Sequence, residues 1–125
     1  MATIYVKSST GSDGNAGTSS ASPKATLAAA LTAAGAGGTV YVDAAHAESQ
    51  ASAMTLTSPG TAATPVTIIC VDDITNITAF ATSATVGTSG SNAISFAGFA
   101  DSCGVTYITG SGPTSQFLFQ LAGNW

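Results

Sequence analysis

Residues 22–31, Ser-Pro-Lys-Ala-Thr-Leu-Ala-Ala-Ala-Leu, decide the fold of this chain because they place a short helix between two β-strand segments. Ser22 can accept a hydrogen bond from the free amides of a helix start, and Pro23 is tolerated at the first helical position. Gly35 supplies a left-handed stop. Strand-forming runs lie on either side, at 3–6 and 39–42. The order strand, capped helix, strand predicts the start of a stacked β-structure with the helix as a lid.

Further short runs of β-branched and aromatic residues follow the helix, separated by Gly, Pro, Ser, Thr and Asn clusters. They occupy 39–42, 65–71, 93–96, 105–109 and 117–121. Thr39, Val66, Ile94 and Phe117 mark steps of 27, 28 and 23 residues, a spacing typical of repeating coils. Tight hairpin dipeptides are few and the links are long and polar. We therefore favour a parallel solenoid, and a sandwich of two antiparallel sheets is the alternative.

The length and composition predict one domain with a modest core. The chain has 125 residues, of which 45% are hydrophobic. Segment 1–36 is predicted to hold the first strand, a loop and the capping helix, and segment 37–125 the coils. Only 6% of residues are charged, the net charge is -4, and there are two lysines and no arginine. Such a chain cannot neutralise a run of phosphates, so nucleic acid is excluded as a partner.

The first residues and the cysteines predict a chain without a signal peptide, membrane span or disulfide framework. Segment 1–7 has no basic region, and its apolar run is soon interrupted. Cys70 and Cys103 have no metal-ligand spacing and are predicted to be buried free thiols. A single bridge between neighbouring layers is the alternative.

Two short motifs resemble halves of metal sites. His46-Ala47-Glu48 matches part of a zinc deaminase motif, but the cysteine half is missing, and one histidine is insufficient for most zinc sites. It is predicted to be a polar loop after the strand at 39–42. Asp13 opens a segment like a calcium loop, yet position 12 of that loop is Lys24, so a glycine-rich turn is expected.

The remaining acids are predicted to be structural. Asp72 and Asp73 are adjacent, so on a strand they would point to opposite faces. They are expected to end the strand at 65–71, and an ion or sugar contact is the alternative. Asp43 and Asp101 are predicted to be loop residues. The sequon at Asn76 is interpreted as a coincidence. We assign no catalytic residue, cofactor or metal.

Aromatic residues concentrate in the last third of the chain. Phe117 and Phe119 are predicted to face the core because they alternate along a strand. The chain stops soon after this run without a polar closing segment, which predicts that more polypeptide or another subunit covers the end. The interface candidates are Trp125, Leu121 and Phe119.

The order of segments 4–6, 11–19, 23–27, 37–42 and 60–69 resembles the opening of right-handed parallel β-helix proteins of the pectate-lyase-like superfamily, particularly phage virion and tail-spike members. The resemblance covers about the first 72 residues. It implies an all-β fold that starts a right-handed parallel β-helix behind a short capping helix, further coils and a homo-oligomer, with a trimer suggested. Gly38 replaces the usual acidic residue of that family, and the arginine base of its lyases is missing.

These observations predict a non-enzymatic structural component of a phage particle, either a capsid decoration protein or a tail or spike attachment protein. Its expected partners are other virion proteins and copies of itself, its expected location is the virion, and a host surface glycan is a further candidate ligand. The alternatives are the N-terminal part of a β-helical polysaccharide lyase or hydrolase, and a carbohydrate-binding module.

Overall fold

The computed structural model describes residues 1–61, 63–64, 66–81, 83–89, 92–97 and 108–109. Within them the chain is mostly strand with one short helix, as predicted for an all-β fold with a small helical element. The elements in chain order are β1 (Thr3–Val6), α1 (Leu27–Ala34), β2 (Thr39–Asp43), β3 (Ala47–Gln50), β4 (Met54–Thr57), β5 (Thr67–Val71), β6 (Thr85–Thr88), β7 (Ile94–Ala97) and β8 (Ile108–Thr109).

The described strands form three parallel sheets. One has the order β1-β2-β5-β8, and the other two are the pairs β3-β6 and β4-β7. The register places Val40 opposite both Ile4 and Ile68, so inward side chains align from strand to strand. The antiparallel sandwich considered above is therefore wrong for these strands.

The even spacing of strands predicted from the sequence is only partly correct. Thr39 and Thr67 are register partners, but Ile94 lies in a different sheet, opposite Met54. Links between strands vary in length, so spacing along the chain does not report which strands pair. The predicted strand at 105–109 falls within the described residues only at 108–109, where β8 lies, and the one at 117–121 lies outside them.

Helix α1 begins four residues later than predicted. Its N-cap is Thr26, whose hydroxyl accepts from the Ala29 amide at 3.3 Å, and not Ser22. The reason is tertiary: the Lys24 amide donates to Tyr5 and its carbonyl accepts from Lys7, so Lys24 pairs with the end of β1 and its backbone is not available to the helix. The helix ends at Gly35 as predicted and the φ of this residue is positive, at 67°, but its ψ of -177° lies outside the left-handed helical region that was expected.

The core combines the inward faces of the strands with one face of α1. Alternate residues of β1, β2 and β5 are buried, and α1 contacts β1, β2 and β4. The buried residues of the helix are Leu27, Ala30, Leu31 and Ala34. Fully burying one such leucine contributes about 1.5–3 kcal/mol. Helix α1 thus covers one side of the strands that follow it. No described helix has the length and apolar character that crossing a membrane requires.

Candidate functional site

Three ionisable side chains are buried where β2 passes into β3. The exposed fractions of Asp43, His46 and Glu48 are 2%, 1% and 7%. Burying such groups is unfavourable unless each is hydrogen-bonded or paired. Their partners therefore explain what holds this region together.

His46 is neutral in this arrangement, and its tautomer is defined. Its Nδ1 lies 3.0 Å from the backbone nitrogen of Ser8, and its Nε2 lies 3.1 Å from Glu48 Oε2. A backbone amide can only donate, so Nδ1 must accept and carries no proton. Nε2 then carries the ring proton and donates it to Glu48.

Glu48 gathers hydrogen bonds from three other residues. Its Oε2 also accepts from the backbone amide of Leu27, the first residue of α1, at 2.9 Å, and its Oε1 accepts from Gln50 Nε2 at 3.0 Å. Burial raises the pKa of Glu48, but the hydrogen bonds from His46, Leu27 and Gln50 outweigh it, so the pKa lies below its usual range. The ionised carboxylate also faces the positive end of the helix dipole.

Asp43 joins three further segments. Its Oδ2 lies 3.3 Å from Lys7 Nζ and accepts from the Ile74 amide at 3.1 Å, while its Oδ1 accepts from the Ala45 amide at 2.9 Å. Lys7 follows β1, and Ile74 follows β5. Asp43 thus connects the end of β2 to the segments that follow β1 and β5, the two strands that pair with β2.

Ser8, His46 and Glu48 have the residue types of a hydrolytic triad but not its hydrogen bonds. In such a triad the serine hydroxyl donates to the imidazole, which activates it as a nucleophile. Here Ser8 presents its backbone amide to His46, and its hydroxyl accepts from the Ala47 amide at 2.9 Å. With the imidazole 1% exposed, the cluster holds β1 and α1 against β3 and does not present a nucleophile.

Two predictions for this region are wrong. His46 lies between β2 and β3, outside a strand as predicted, but it is buried. Glu48 is predicted to lie in the same polar loop, and Asp43 in a loop as well. Asp43 is instead the buried last residue of β2, and Glu48 lies in β3 with its side chain inward. One signal was present in the sequence: positions 46, 48 and 50 have the two-residue period of one strand face. This period does not predict a buried strand face by itself, because the residues that show it are polar or charged.

Asp13 lies in the predicted glycine-rich turn, and that prediction is confirmed. One carboxylate oxygen accepts from the amides of Ala25 and Thr26 at 3.0 and 2.9 Å, and the other accepts from the Thr26 hydroxyl. Lys24 Nζ donates to the Asp13 backbone carbonyl at 2.9 Å. The carboxylate therefore serves the start of α1 and is not arranged as a calcium ligand.

Asp72 and Asp73 follow β5 directly, as predicted, and organise the segment after it. Thr78 donates to Asp72 through its amide at 3.0 Å and through its hydroxyl. Thr75 donates to Asp73 through its amide and hydroxyl at 2.8 and 2.7 Å. These hydrogen bonds lower the pKa of both carboxyls. The sequon at Asn76 lies on this exposed segment, and an ion or sugar contact stays a prediction.

The same segment presents large apolar side chains to solvent. We call residues 72–81 the docking loop. Phe80 is 80% exposed and Ile77 is 43% exposed. The backbone is held at its base, because the Asp72 amide donates to Ala79 and the Ala81 amide donates to Cys70, each at 3.1 Å. No signal in the sequence marks these residues, because Phe80 stands apart from the aromatic residues that concentrate in the last third of the chain.

The other predicted residues are distributed as follows. Cys70 is buried, as predicted, and burial raises the pKa of its thiol. Tyr5 and Tyr41 stack on neighbouring strands with ring centres 5.7 Å apart. No group of three His, Cys, Asp or Glu able to hold a metal ion occurs among the described residues. Six residues for which predictions were made lie outside the described ranges: Asp101, Cys103, Phe117, Phe119, Leu121 and Trp125.

Comparison of the chain with protein-family models, with curated proteins and with solved structures found no match.

Proposed function

We propose that this chain is a non-enzymatic structural component of a phage particle, a capsid decoration protein or a tail or spike attachment protein, that acts through protein–protein contacts. We further propose that it starts a right-handed parallel β-helix. The resemblance of its first 72 residues to phage β-helix proteins and its charge-poor composition support this assignment.

The strand order supports stacked coils. β2, β3 and β4 follow one another in three different sheets, and β5, β6 and β7 repeat that order, each pairing in parallel with its counterpart. A solenoid stacks each repeat on the previous one in this way. Crossover connections between parallel strands are right-handed in nearly all proteins, which favours the right-handed form.

One side of the proposed coils is closed by the N-terminal segment. The outer edge of β1 is bonded to loop backbone, with the Tyr5 amide donating to Gly17 at 2.8 Å. Ser8 bonds to Ala47 at the start of β3, and α1 contacts β4. Covered edges do not pair with other chains, so contacts with a partner must use other surfaces.

The observation that supports this function most directly is the exposed Phe80 of the docking loop. An exposed aromatic on a braced backbone suits protein recognition, because aromatic residues are enriched at binding hot spots and a preorganised loop loses little entropy on binding. Asp72 and Asp73 precede the apolar residues in this loop and give it negative charge. Lys7 and Lys24, the two lysines of the chain, are bonded to Asp43 and Asp13. The loop therefore fits a different protein, one with an apolar pocket and a basic rim.

Incorporation into particles tests the proposal. Particles of the phage that encodes the chain are purified and analysed by quantitative mass spectrometry, with the wild-type chain, Phe80→Ser, and Thr55→Ser as a control on an exposed position of β4. We expect the wild type and the control in particles at fixed copy number, and Phe80→Ser reduced at least about tenfold, the effect of about 1.4 kcal/mol.

Two results would contradict the proposal. Absence of the wild-type chain from particles would refute the structural role. Equal incorporation of Phe80→Ser would refute the docking loop as the contact. Release of reducing sugar from a polysaccharide by the full chain would favour the depolymerase alternative.

A further inference from the structure

The side chains of His46 and Glu48 hold the N-terminal part of the chain to β3, and the Ser8 hydroxyl adds a contact with the Ala47 amide. We call residues 3–34, which include β1 and α1, the N-terminal cap. His46 Nδ1 accepts from the Ser8 amide, and Glu48 Oε2 accepts from the Leu27 amide. We call these two side chains and two amides the latch. One amide belongs to the segment after β1 and the other to the start of α1.

We propose that the latch is acid-sensitive: a proton from solvent that binds His46 at Nδ1 displaces the Ser8 amide and opens the Ser8 side of the latch, while the Leu27 contact and the parallel sheets, β1 included, stay in place.

The closed latch cannot hold a second proton on the imidazole of His46. In the closed latch the only free lone pair of the imidazole is the one that accepts from Ser8, so a second ring proton must occupy the position of that hydrogen bond. Two N–H groups would then face each other, and leaving a buried amide without an acceptor costs about 1–3 kcal/mol. An imidazole changes its charge between about pH 5 and 8, whereas a backbone amide stays a neutral donor throughout this range.

The charges around His46 determine which of its two hydrogen bonds breaks, the one with Ser8 or the one with Glu48. Glu48 attracts an imidazolium, so the contact between these side chains survives protonation and the Ser8 contact fails. Lys7 and Asp43 pair with each other. The thiol of Cys70 on β5 is neutral because burial raises its pKa. The sequences of α1 and β6 contain no charged residue.

Glu48 adds a second step at lower pH. The pKa of Glu48 is below its usual range in the folded chain. Its contribution is therefore complete above the unfolded value of about 4.3 and is lost as the pH falls through the folded value. The Leu27 amide should lose its acceptor only in this lower range.

Amide hydrogen exchange of the full chain, measured from pH 7.5 to 4 and corrected for intrinsic rates, tests the latch. The closed latch binds no proton at Nδ1 and the open latch binds one, so protection of the Ser8 amide should fall about tenfold for each pH unit below the point where imidazole takes up its proton. Protection of Val40 and Ile68 in the sheets should not follow it. Side-chain nitrogen NMR of His46 reports the protonation directly on the same samples.

His46→Gln and Glu48→Gln separate the two steps. The glutamine at position 46 can accept from Ser8 and donate to Glu48 but does not titrate, so the slope of Ser8 protection should disappear. Glu48→Gln should keep that slope and abolish the loss of Leu27 protection that the wild type shows when the exchange series is extended below pH 4. The proposal is overturned if His46 takes up its proton while Ser8 stays protected, if His46→Gln keeps the wild-type slope, or if Val40 and Ile68 lose protection together with Ser8. Should either variant fail to fold, the wild-type NMR and exchange data decide alone.

Discussion

Replacing Gly38 by alanine should destabilise the chain because no side chain fits there. Gly38 is buried between the end of α1 and the start of β2. A Cβ at this position would overlap the carbonyl oxygen of Ala34 and lie 2.8 Å from its carbonyl carbon and 2.9 Å from its Cβ. These are backbone or near-backbone atoms of the helix, which cannot rotate away.

The backbone of Gly38 cannot move away easily either. Its amide donates to Gly35 at 3.2 Å, and its carbonyl accepts from the Thr67 amide at 3.0 Å. Overpacking costs about 1–3 kcal/mol, and each weakened hydrogen bond adds about 0.5–1.5 kcal/mol. The reduced freedom of the unfolded chain returns about 0.4–1 kcal/mol. We expect a net loss of about 3 kcal/mol, or roughly 10 °C in the midpoint of thermal unfolding.

Gly87→Ala is the matched control. The nearest atom to a Cβ at Gly87 is the Glu48 carbonyl oxygen at 3.9 Å, an ordinary contact. This variant should stay within about 0.5 kcal/mol of the wild type. Urea denaturation followed by circular dichroism compares the two at constant m-value. If Gly38→Ala is as stable as Gly87→Ala, then α1 does not end against β2 as described.

Three further predictions concern other parts of the fold. Leu31→Ala should lower the free energy of unfolding, measured by thermal unfolding, by about 2–5 kcal/mol because the side chain is fully buried. Thr32→Ala, on the exposed side of α1, should lower it by under about 0.5 kcal/mol. Similar losses in the two variants would show that α1 does not pack on the strands. The peptide carrying Cys70 should react slowly with a thiol reagent at pH 8 in the native chain and fast in denaturant, because the thiol is buried and its pKa is raised; fast native labelling, read by mass spectrometry, would contradict its burial. Asp72→Asn should lower stability to urea more at pH 7 than at pH 2. Hydrogen bonds from Thr78 lower the pKa of Asp72, so the contribution of the carboxylate is complete above the unfolded value of about 3.9 and decreases as the pH falls toward the folded value. Equal losses at both pH values would argue against an ionised partner for Thr78.

Local features of this chain could be predicted where the deciding interactions are short in range. Ile4 and Val6 alternate with polar or aromatic neighbours, and so do Val40 and Val42, which is the pattern of strands with one face in a core. The stop at Gly35 depends on the conformational freedom of a single residue. Such signals lie within a few positions and do not depend on the rest of the fold.

The start of α1 and the strands β3, β4 and β6 could not be predicted in the same way. Thr26 begins the helix only because Lys24 is bonded to β1, and no local preference reports that pairing. β3 contains Glu48 and β6 contains Gly87, residues that are unfavourable in strands. Their strand conformation is stabilised by parallel pairing with each other.

The amino-acid sequence by itself determined an all-β chain with a short helix, a buried Cys70 and carboxylates that end a strand, because burial period and turn chemistry act locally. Only the tertiary structure decided the roles of Ser8 and His46, which lie 38 positions apart and meet through one hydrogen bond. A buried polar group must find a partner, and which partner it finds depends on how distant segments pack.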